Sequence, residues 1–559
     1  MLYNPAVAMP KINRITLIEP EPAGFHVFSR FPMPRLGLPL LGAILKRQGY
    51  EVRVHIGACQ AKDIRSYAES HLIGISTTTS TAPEAYRLAD IFRRMGKLVV
   101  IGGVHATFVP EDALQHADYV LRGEAEDGFP HLLRCLSGGD GFAEVLGLSY
   151  RRGEVIFHNP DPPFIADLDR LPFPDFSLMV SRTQLFDIPI QASRGCPFPC
   201  NFCSVTKMFG RKVRFRSVAS VIAELRQIPK PSVFFYDDNF CARPEFTKSL
   251  LETMLREGVK LDYFSAQVRA DMTRDLEMMK LFRAAGGRQV YVGFESINPE
   301  SLKAYDKRQS IDEIASSMEV FRRFKIHVHG MFVIGSDYDD NQTARQTLRF
   351  ARKTGMDTVQ FMMLTPLPGT ELYRDLEEQD RILTRDWSLY DAHHAVYLPK
   401  RMTPLQLQKS AISGMSHFYS PRRILSGLAQ RDTFKVSRAA MGMYILRRWK
   451  WENRHWTREL MRLSLQARRR RLEKQLGDLA GQLDTALQQL PARLENVRKQ
   501  AEQLARQIEQ LGQNLLADVE KDLLLLEKKV QYLSKEVLCV LDQIRPGGDD
   551  RIVPAGAAK

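Results

Sequence analysis

The sequence of 559 residues contains no run of about 18 apolar residues, the length that a membrane-spanning helix needs. Its N-terminal part leads directly into the strand-like Ile15-Thr-Leu-Ile, without the apolar core of a signal peptide. Only 7 cysteines are present in this length, too few for a disulfide framework. These absences predict a protein of the reducing cytoplasm.

Three of the cysteines, Cys196, Cys200 and Cys203, lie in one stretch that reads Arg-Gly-Cys-Pro-Phe-Pro-Cys-Asn-Phe-Cys. The sequence has no fourth cysteine near them, whereas a closed zinc site takes four ligands and an ordinary electron-transfer cluster takes four cysteines. Three thiolates on a four-iron cluster leave one iron open to a small molecule. The alternative is a loop of buried or zinc-bound thiols, but the neighbouring glycine and prolines favour an irregular loop at the end of a strand.

The cysteine spacing and the aromatic Phe202 before the last cysteine resemble the radical S-adenosylmethionine (radical SAM) superfamily. The resemblance implies that the three cysteines hold a [4Fe-4S] cluster whose open iron chelates the amine and carboxylate of SAM. It also implies that the reduced cluster cleaves SAM to a 5′-deoxyadenosyl radical, which abstracts hydrogen from a substrate.

Residues 1–150 alternate strand-like and helix-like stretches, a pattern that predicts a doubly wound parallel sheet. Ligands of such sheets lie beyond the carboxyl ends of the strands. Two loops at those ends, residues 74–80 and 102–107, are rich in small residues, which let a ligand approach the backbone closely. A third turn, residues 122–126, reads Arg-Gly-Glu-Ala-Glu.

The order of these loops resembles the cobalamin-binding domain that precedes many radical SAM domains, over most of residues 10–135. The resemblance implies that they cradle cobalamin through Ser76, Thr77, Gly102, Gly103, Val104, His105, Gly123 and Glu124. The chain lacks the Asp-x-His-x-x-Gly motif whose histidine ligates cobalt in many methyltransferases, so no such histidine is expected on the metal. Two alternatives stay open: a domain that kept its shape and lost its cofactor, and a His105 that bonds only within its own loop.

Residues 151–187 are rich in proline and are interpreted as a linker, and residues 188–400 again alternate strand and helix. Six strand–helix units match the partial (β/α)6 barrel of the radical SAM fold. Any one polar residue after a strand is more often structural, but their recurrence at the same end of successive strands favours a ligand site. The resemblance implies SAM contacts from Asp237, Asp238 and Asn239 at the amino group, Arg269 at a carboxylate, Glu295 near the ribose or methionyl end, and Ile334, Gly335 and Phe202 around adenine.

The C-terminal part falls outside these resemblances. Residues 401–474 read as basic helices, with 16 Lys and Arg against 4 Asp and Glu between Arg422 and Lys474. Three tryptophans accompany this charge, as is typical of a membrane interface; a nucleic-acid surface and a packed helical appendage are the alternatives. An apolar repeat over residues 475–545 predicts a coiled coil or helical hairpin, and residues 546–559 are expected to be disordered.

The sequence therefore predicts an α/β protein with a helical C-terminal region, acting as a cobalamin-dependent radical SAM enzyme. C-methylation of an apolar or lipid-like substrate is the preferred reaction; a cyclase or oxidoreductase, or an empty cobalamin-like domain, is the alternative. The expected partners are a reductant such as flavodoxin or ferredoxin, a membrane surface and a second copy of the coiled coil, whereas nucleic acid is disfavoured. A peripheral position at the inner face of the membrane would follow.

Overall fold

The structure is a computed structural model that describes residues 12–22, 24–25, 33–138, 141–180, 185, 187–229, 232–307, 309–487, 494–511 and 519–544. It divides into two compact units, Met1–Leu460 and Met461–Lys559. The predicted disordered tail, residues 546–559, lies outside the described residues. Among those residues no helix is both long enough and apolar enough to cross a membrane.

The first sheet, in the part of the chain that the structure describes, has seven strands in the order β2-β1-β3-β4-β5-β6-β7. The first five strands are parallel, and the last two form an antiparallel hairpin at one edge. The strands are β1 (Arg14–Pro20), β2 (Glu51–Gly57), β3 (Leu72–Ser76), β4 (Leu98–Gly102), β5 (Tyr119–Leu121), β6 (Leu148–Arg152) and β7 (Val155–His158). The predicted doubly wound sheet is thereby confirmed.

Helices cover both faces of this sheet because its strands present apolar residues on both sides. Leu17 of β1 packs in one cluster with residues of the first and sixth helices, and Ile18 packs in a second cluster with residues of the third and fifth. The helices are α1 (Gly37–Arg47), α2 (Ala61–Ser66), α3 (Ala82–Arg94), α4 (Val104–Phe108), α5 (Pro110–His116) and α6 (Ala125–Gly138).

The first domain extends past the predicted boundary at residue 150, which falls inside β6. Leu148 and Tyr150 are buried and continue the core of the sheet, and the Tyr150 ring stacks on Phe157 of β7 at 5.5 Å. The predicted linker therefore begins after His158.

The second sheet, among the described residues, has six parallel strands in the order β15-β14-β13-β12-β11-β8, as the partial barrel requires. Buried phenylalanines on five neighbouring strands contribute to its core. The strands are β8 (Ile188–Ile190), β11 (Ser232–Phe235), β12 (Tyr263–Val268), β13 (Gly287–Glu295), β14 (His327–Ile334) and β15 (Thr358–Met363). A separate two-stranded pair, β9 (Ser193–Arg194) and β10 (Arg214–Phe215), flanks the cysteine loop.

Helices alternate with these strands and continue beyond them. The helices between the strands and shortly after them are α7 (Val205–Phe209), α8 (Val218–Leu225), α9 (Pro244–Arg256), α10 (Leu276–Ala284), α11 (Pro299–Ala304), α12 (Ile311–Arg323), α13 (Thr343–Lys353) and α14 (Glu371–Glu378). The basic segment begins with α15 (Pro404–Phe418), α16 (Pro421–Ala429) and α17 (Thr433–Glu452). Phe434 of α17 stacks on His327 at the start of β14, with ring centroids 4.0 Å apart.

The second compact unit is helical. Leucines, valines and an isoleucine of three helices form one buried cluster, which explains the predicted apolar repeat. The predicted boundary at residue 474 is corrected, because it lies inside a continuous helix whose partly buried Leu465 already packs against that cluster. The helices are α18 (Trp456–Leu487), α19 (Leu494–Leu511) and α20 (Val519–Ile544).

Candidate active site at the facing sheet ends

The three motif cysteines lie on the loop that follows β9, beyond the carboxyl end of the first barrel strand. The Cys203 backbone N–H donates to the Cys200 carbonyl at 3.1 Å. Burial raises the pKa of all three thiols, that of Cys203 to about 12. Cys196 and Cys200 also lie close enough to Cys203 to raise the pKa of its thiol.

This donor set fits a polynuclear cluster better than a single ion. Among the described residues, no group of three or more His, Cys, Asp or Glu side chains is arranged around one metal ion. In a four-iron cluster each thiolate binds a different iron, so its ligands need not converge on one point. Cys196, Cys200 and Cys203 therefore remain the candidate ligands of the [4Fe-4S] cluster.

Arg269, assigned from the sequence to a carboxylate, instead lies against the cysteine loop. Its guanidinium carbon is 3.8 Å from the centre of the Phe198 ring, and its Nε lies 3.2 Å from a carboxylate oxygen of Asp271. Phe198 stands between two of the motif cysteines, so this cation–π contact holds the loop at the barrel. Stacking covers the face of a guanidinium and not the N–H edge that binds a carboxylate, so this positioning contact leaves the predicted carboxylate contact a prediction.

The acidic pair after β11 divides into two roles. Asp237 is fully buried and accepts hydrogen bonds from the Ala192 backbone N–H and the Ser193 hydroxyl, so it supports the strand that leads to the cysteines. Its predicted contact with the SAM amino group is corrected for that reason. Burial raises the pKa of Asp238 to about 6, and this half-buried carboxylate lies close enough to Cys196 to influence its thiol.

Asn239 is buried, and its Oδ1 has no hydrogen-bond partner among the residues that the structure describes. A buried amide oxygen without a partner is costly unless a ligand or water satisfies it. Asp238 and Asn239 are therefore the members of the predicted set that remain available to an ammonium group.

Glu295 ends β13 with a φ of +61°, a left-handed conformation that residues other than glycine rarely adopt. Its carboxylate pairs with the Lys307 ammonium at 2.9 Å, and both side chains are about nine-tenths buried. Lys307 lies close enough to Cys196 and Cys200 to lower the pKa of their thiols. Glu295 thus lies near Cys200 together with a cation that the sequence did not reveal, and its contact with the ribose or methionyl end of SAM stays a prediction.

The residues assigned to adenine are already in contact with protein groups. The Phe202 ring packs edge-on against Tyr305 at 5.0 Å. Gly335 has a φ of +115°, and a Cβ atom there would lie 2.4 Å from the Tyr397 hydroxyl, which donates to the Gly335 carbonyl. The glycine is needed for the approach of Tyr397, and the neighbouring Ile334 is buried in the core. The contact of this backbone edge with adenine stays a prediction.

The two small-residue loops of the first domain touch each other. The Thr77 backbone N–H and hydroxyl both donate to the Gly102 carbonyl, at 2.8 and 2.9 Å. A Cβ atom on Gly103 would lie 2.4 Å from the Thr77 carbonyl oxygen and 3.1 Å from the Ser76 hydroxyl. Ser76, Thr77, Gly102 and Gly103 therefore first serve to join β3 to β4, and Val104 begins α4 directly behind them.

His105 is the residue of this region that best fits a ligand. It is only 1% exposed, and neither ring nitrogen has a hydrogen-bond partner within the described ranges. Burial lowers the pKa of its imidazole to about 4, so the ring is neutral at pH 7. The ring lies edge-on to Trp387 at 5.1 Å. The alternative in which His105 bonds within its own loop is wrong for its side chain, and a cradled group could satisfy the two nitrogens.

The acidic turn after β5, predicted to contact cobalamin, is bonded instead to other groups of the protein. Gly123 donates its backbone N–H to the Thr107 hydroxyl at 3.0 Å, and Glu124 is buried in ion pairs with Arg194 and Arg214. A buried carboxylate committed to two guanidinium groups is not free to bind a ligand. The cobalamin contact predicted for Glu124 is corrected to a contact between domains.

The carboxyl ends of the two parallel sheets face each other within the first compact unit. Arg35 pairs at 2.9 Å with Glu19 of β1, and both lie close enough to Tyr236 at the end of β11 to influence its phenol. Both sets of predicted cofactor residues thus lie beyond strand ends that are directed toward one another. The Glu19–Arg35 pair belongs to no recognisable sequence motif. The position of Glu19 near the end of β1 is the one sequence signal that could have identified it.

Comparison with known proteins agrees with these two halves. Residues 190–351 match the radical SAM superfamily, and residues 29–133 match the B12 binding domain. The chain is 30% identical over 435 residues to an uncharacterized methyltransferase, PH0819, of Pyrococcus horikoshii, covering 73% of this chain and 93% of that protein. It is 29% identical over 457 residues to the hopanoid C-3 methylase of Methylococcus capsulatus, covering 78% and 84% of the two chains.

A third relative is the bacteriochlorophyllide d C-12(1)-methyltransferase of Chlorobaculum tepidum, 28% identical over 372 residues, 63% of this chain and 76% of that protein. Among solved structures, the cobalamin-dependent radical enzyme OxsB with aqua-cobalamin shares the fold at a TM-score of 0.60 and 16% identity, over 95% of this chain and 81% of that chain. The methyltransferase TsrM of Kitasatospora setae has the same TM-score and identity, over 78% and 98%. The chain belongs to the B12-binding radical SAM family, whose members among these relatives are methyltransferases and magnesium-protoporphyrin cyclases.

Proposed function

We propose that this radical SAM enzyme methylates a carbon atom of an apolar or lipid-like substrate. When bound, cobalamin supplies the methyl group, and the cluster with SAM supplies the radical that removes a hydrogen atom from the substrate. The facing strand ends of the two sheets carry this proposal, since the His105 loop follows β4 of one sheet and the cysteine loop follows β8 of the other. A substrate carbon between the two loops could meet both cofactors in turn.

The residues of this chain bind and orient in that scheme. The three cysteines hold the cluster, while Arg269 fixes their loop through Phe198. Asp238 and Asn239 offer oxygen atoms to an ammonium group, and buried His105 offers one donor and one acceptor nitrogen to a polar part of cobalamin. The cluster needs an electron from outside the chain, for which a flavodoxin or ferredoxin is the proposed donor.

The proposed substrate class is supported by the names of the relatives. Hopanoids and bacteriochlorophyllides, on which two of them act, are large, mostly apolar ring systems. The magnesium-protoporphyrin cyclases support a second candidate, ring formation without methyl transfer, because one of them is 27% identical to this chain over 376 residues. The third candidate is a radical SAM enzyme whose cobalamin-like domain is empty.

Labelling separates these candidates. A strain that carries the gene and a deletion strain would be grown anaerobically with methionine bearing a deuterated methyl group, and their lipid and aqueous extracts compared by mass spectrometry. A lipid-extract product that carries the label only when the gene is present is expected. A gene-dependent product without label would support the cyclase, and a labelled product confined to the aqueous extract would refute the apolar substrate.

A membrane contact is also proposed, with corrected residues. Trp449 and Trp456 are buried beside His394, with ring centroids 5.2 and 5.4 Å away, so they support packing and not an interface. Trp451 is 65% exposed, and the Arg454 guanidinium lies over its ring. Leu425 of α16 is also 65% exposed. These apolar groups among exposed arginines suit an anionic lipid surface, where each basic residue contributes about 1 kcal/mol.

Vesicle sedimentation tests this contact. The full chain should sediment with anionic vesicles at low salt and be released at high salt, because exposed charges are screened beyond about 10 Å at 0.1 M salt. Trp451→Ala should weaken sedimentation, whereas Leu255→Ala, an exposed leucine on α9, should not. Absence of sedimentation at low salt would refute the membrane contact while leaving the labelling result untouched.

A further inference from the structure

An acidic turn of the cobalamin-binding domain is bonded to the cysteine loop of the barrel. The Glu124 carboxylate receives two hydrogen bonds of 2.8 Å from Arg214 and one of 3.1 Å from Arg194. A second carboxylate of the same turn, Glu126, pairs with Arg194 at 2.7 Å. All four side chains are at most 11% exposed, so these charges interact with little screening by solvent.

The two arginines stand at the two ends of the segment that carries the cluster cysteines. Arg194 of β9 lies opposite Arg214 of β10 in the antiparallel pair, and Cys196 follows Arg194 by two residues. Gly195, between them, has a φ of +93° and lies so close to the Gly210 carbonyl that a Cβ atom would be 2.9 Å away. Whatever fixes the arginines therefore fixes both ends of the loop.

The acidic turn is itself bonded to the glycine loop of its own domain. The Thr107 hydroxyl donates to the Gly103 carbonyl at 2.9 Å and accepts the Gly123 backbone N–H at 3.0 Å. Gly123 is followed directly by Glu124. A continuous series of short contacts thus runs from the loop assigned to cobalamin to the loop assigned to the cluster.

We propose that Glu124 and Glu126 are positioning residues through which the cobalamin-binding domain sets the placement and the local charge of the cluster loop. The proposal goes beyond the proposed function, because it holds whichever substrate is methylated. Two carboxylates and two guanidinium groups leave the group neutral. Loss of one carboxylate would leave an uncompensated buried positive charge beside Cys196, and positive charge favours the reduced, more negative cluster.

The test compares Glu124→Gln and Glu126→Gln with a matched control, Asp127→Asn. Asp127 follows Glu126 directly at the start of α6, but its ion pair with Arg170 is largely exposed, with side chains 65% and 44% accessible. Each full-length protein would be prepared anaerobically with its cluster. Iron content, cobalamin content and the midpoint potential of the cluster would be measured, the last by a redox titration followed by electron paramagnetic resonance.

Both glutamine variants should shift the midpoint potential to more positive values, while the control keeps the wild-type potential. In Glu124→Gln the change that SAM causes in the resonance spectrum of the reduced cluster should also be altered, because the loop loses its bidentate contact. If Glu124→Gln fails to hold iron, the midpoint potential of Glu126→Gln tests the proposal instead. In Glu126→Gln both arginines keep Glu124 as a partner, so the loop is expected to stay in place. Wild-type potentials and spectra in iron-replete variants, or an equal shift in Asp127→Asn, would overturn the proposal.

Discussion

Replacing Gly103 with alanine should separate the two loops assigned to cobalamin. Gly103 has a φ of +94° and a ψ of 177°, a conformation that costs other residues roughly 1–3 kcal/mol. The new Cβ atom would lie 2.4 and 2.6 Å from backbone atoms of Thr77, which can move away only by carrying their loop. That movement breaks two hydrogen bonds to the Gly102 carbonyl, each worth about 1 kcal/mol. The total cost is roughly 4 kcal/mol.

A second glycine with a positive φ but open surroundings serves as a comparison. Gly96 has a φ of +73°, but an added Cβ atom would meet nothing within 4 Å. Gly96→Ala should therefore cost only the strain of a left-handed alanine, about 1–2 kcal/mol. The difference between the two variants contains the contact between the loops and the larger strain of the extended positive-φ conformation at Gly103.

Hydrogen exchange by mass spectrometry measures that difference locally, which matters because a chain of two compact units is not expected to unfold in one step. In Gly103→Ala, exchange in peptides covering residues 72–80 and 98–108 should rise by roughly three orders of magnitude. The protein should lose cobalamin and keep its iron. Equal exchange in Gly103→Ala and Gly96→Ala would refute the close approach, and full cobalamin retention would refute the assignment of these loops.

Two further variants or conditions test the barrel side. Lys307→Met leaves the Glu295 carboxylate buried without its cation, which costs roughly 3–5 kcal/mol, so hydrogen exchange in peptides covering residues 287–307 should rise well above that in Lys303→Met, a change at an exposed lysine nearby. Equal exchange in the two variants would show that the pair contributes nothing. In iron-free protein, burial raises the pKa of the Cys203 thiol to about 12 from the usual 9.0. Because only the thiolate reacts, Cys203 should be alkylated at pH 8 roughly a thousandfold more slowly than an ordinary thiol. Its alkylation rate should rise about tenfold with each pH unit. Peptide mass spectrometry checks this, and alkylation of Cys203 as fast as that of the exposed Cys539 would contradict it.

Local features of this chain were predictable because they depend on residues that are close together in the sequence. The cysteine spacing and the aromatic Phe202 require no tertiary information, and they led to the radical SAM family that the comparisons confirm. The alternation of apolar strands with amphipathic helices likewise gave both sheets, since each element shows its buried face in its own sequence.

The partners of charged residues were not predictable in the same way. Glu124 was assigned to cobalamin because its turn ends a strand, but its partner Arg214 lies 90 positions away. Arg269 and Phe198 are likewise distant in sequence and meet only in the folded barrel. Ion pairing and stacking depend on such long-range contacts, which one sequence does not disclose.

The same limit explains the errors in the C-terminal segment. Trp449 and Trp456 were interpreted with Trp451 as one interfacial cluster, since all three accompany basic residues. On α17 and at the start of α18, however, two of them turn inward to His394 and only Trp451 remains exposed. Composition alone does not tell a packed face from an exposed one when the helix has no marked apolar stripe.

The most direct test of the central claim is the formation of 5′-deoxyadenosine from SAM by the anaerobically reconstituted and reduced protein. The wild-type chain and the control variants Cys59→Ala and Cys539→Ala should hold the cluster and release the nucleoside. The triple variant Cys196→Ala/Cys200→Ala/Cys203→Ala should hold no cluster and release none. Formation of 5′-deoxyadenosine by the triple variant would contradict the assignment of the cluster, and with it the account of this site.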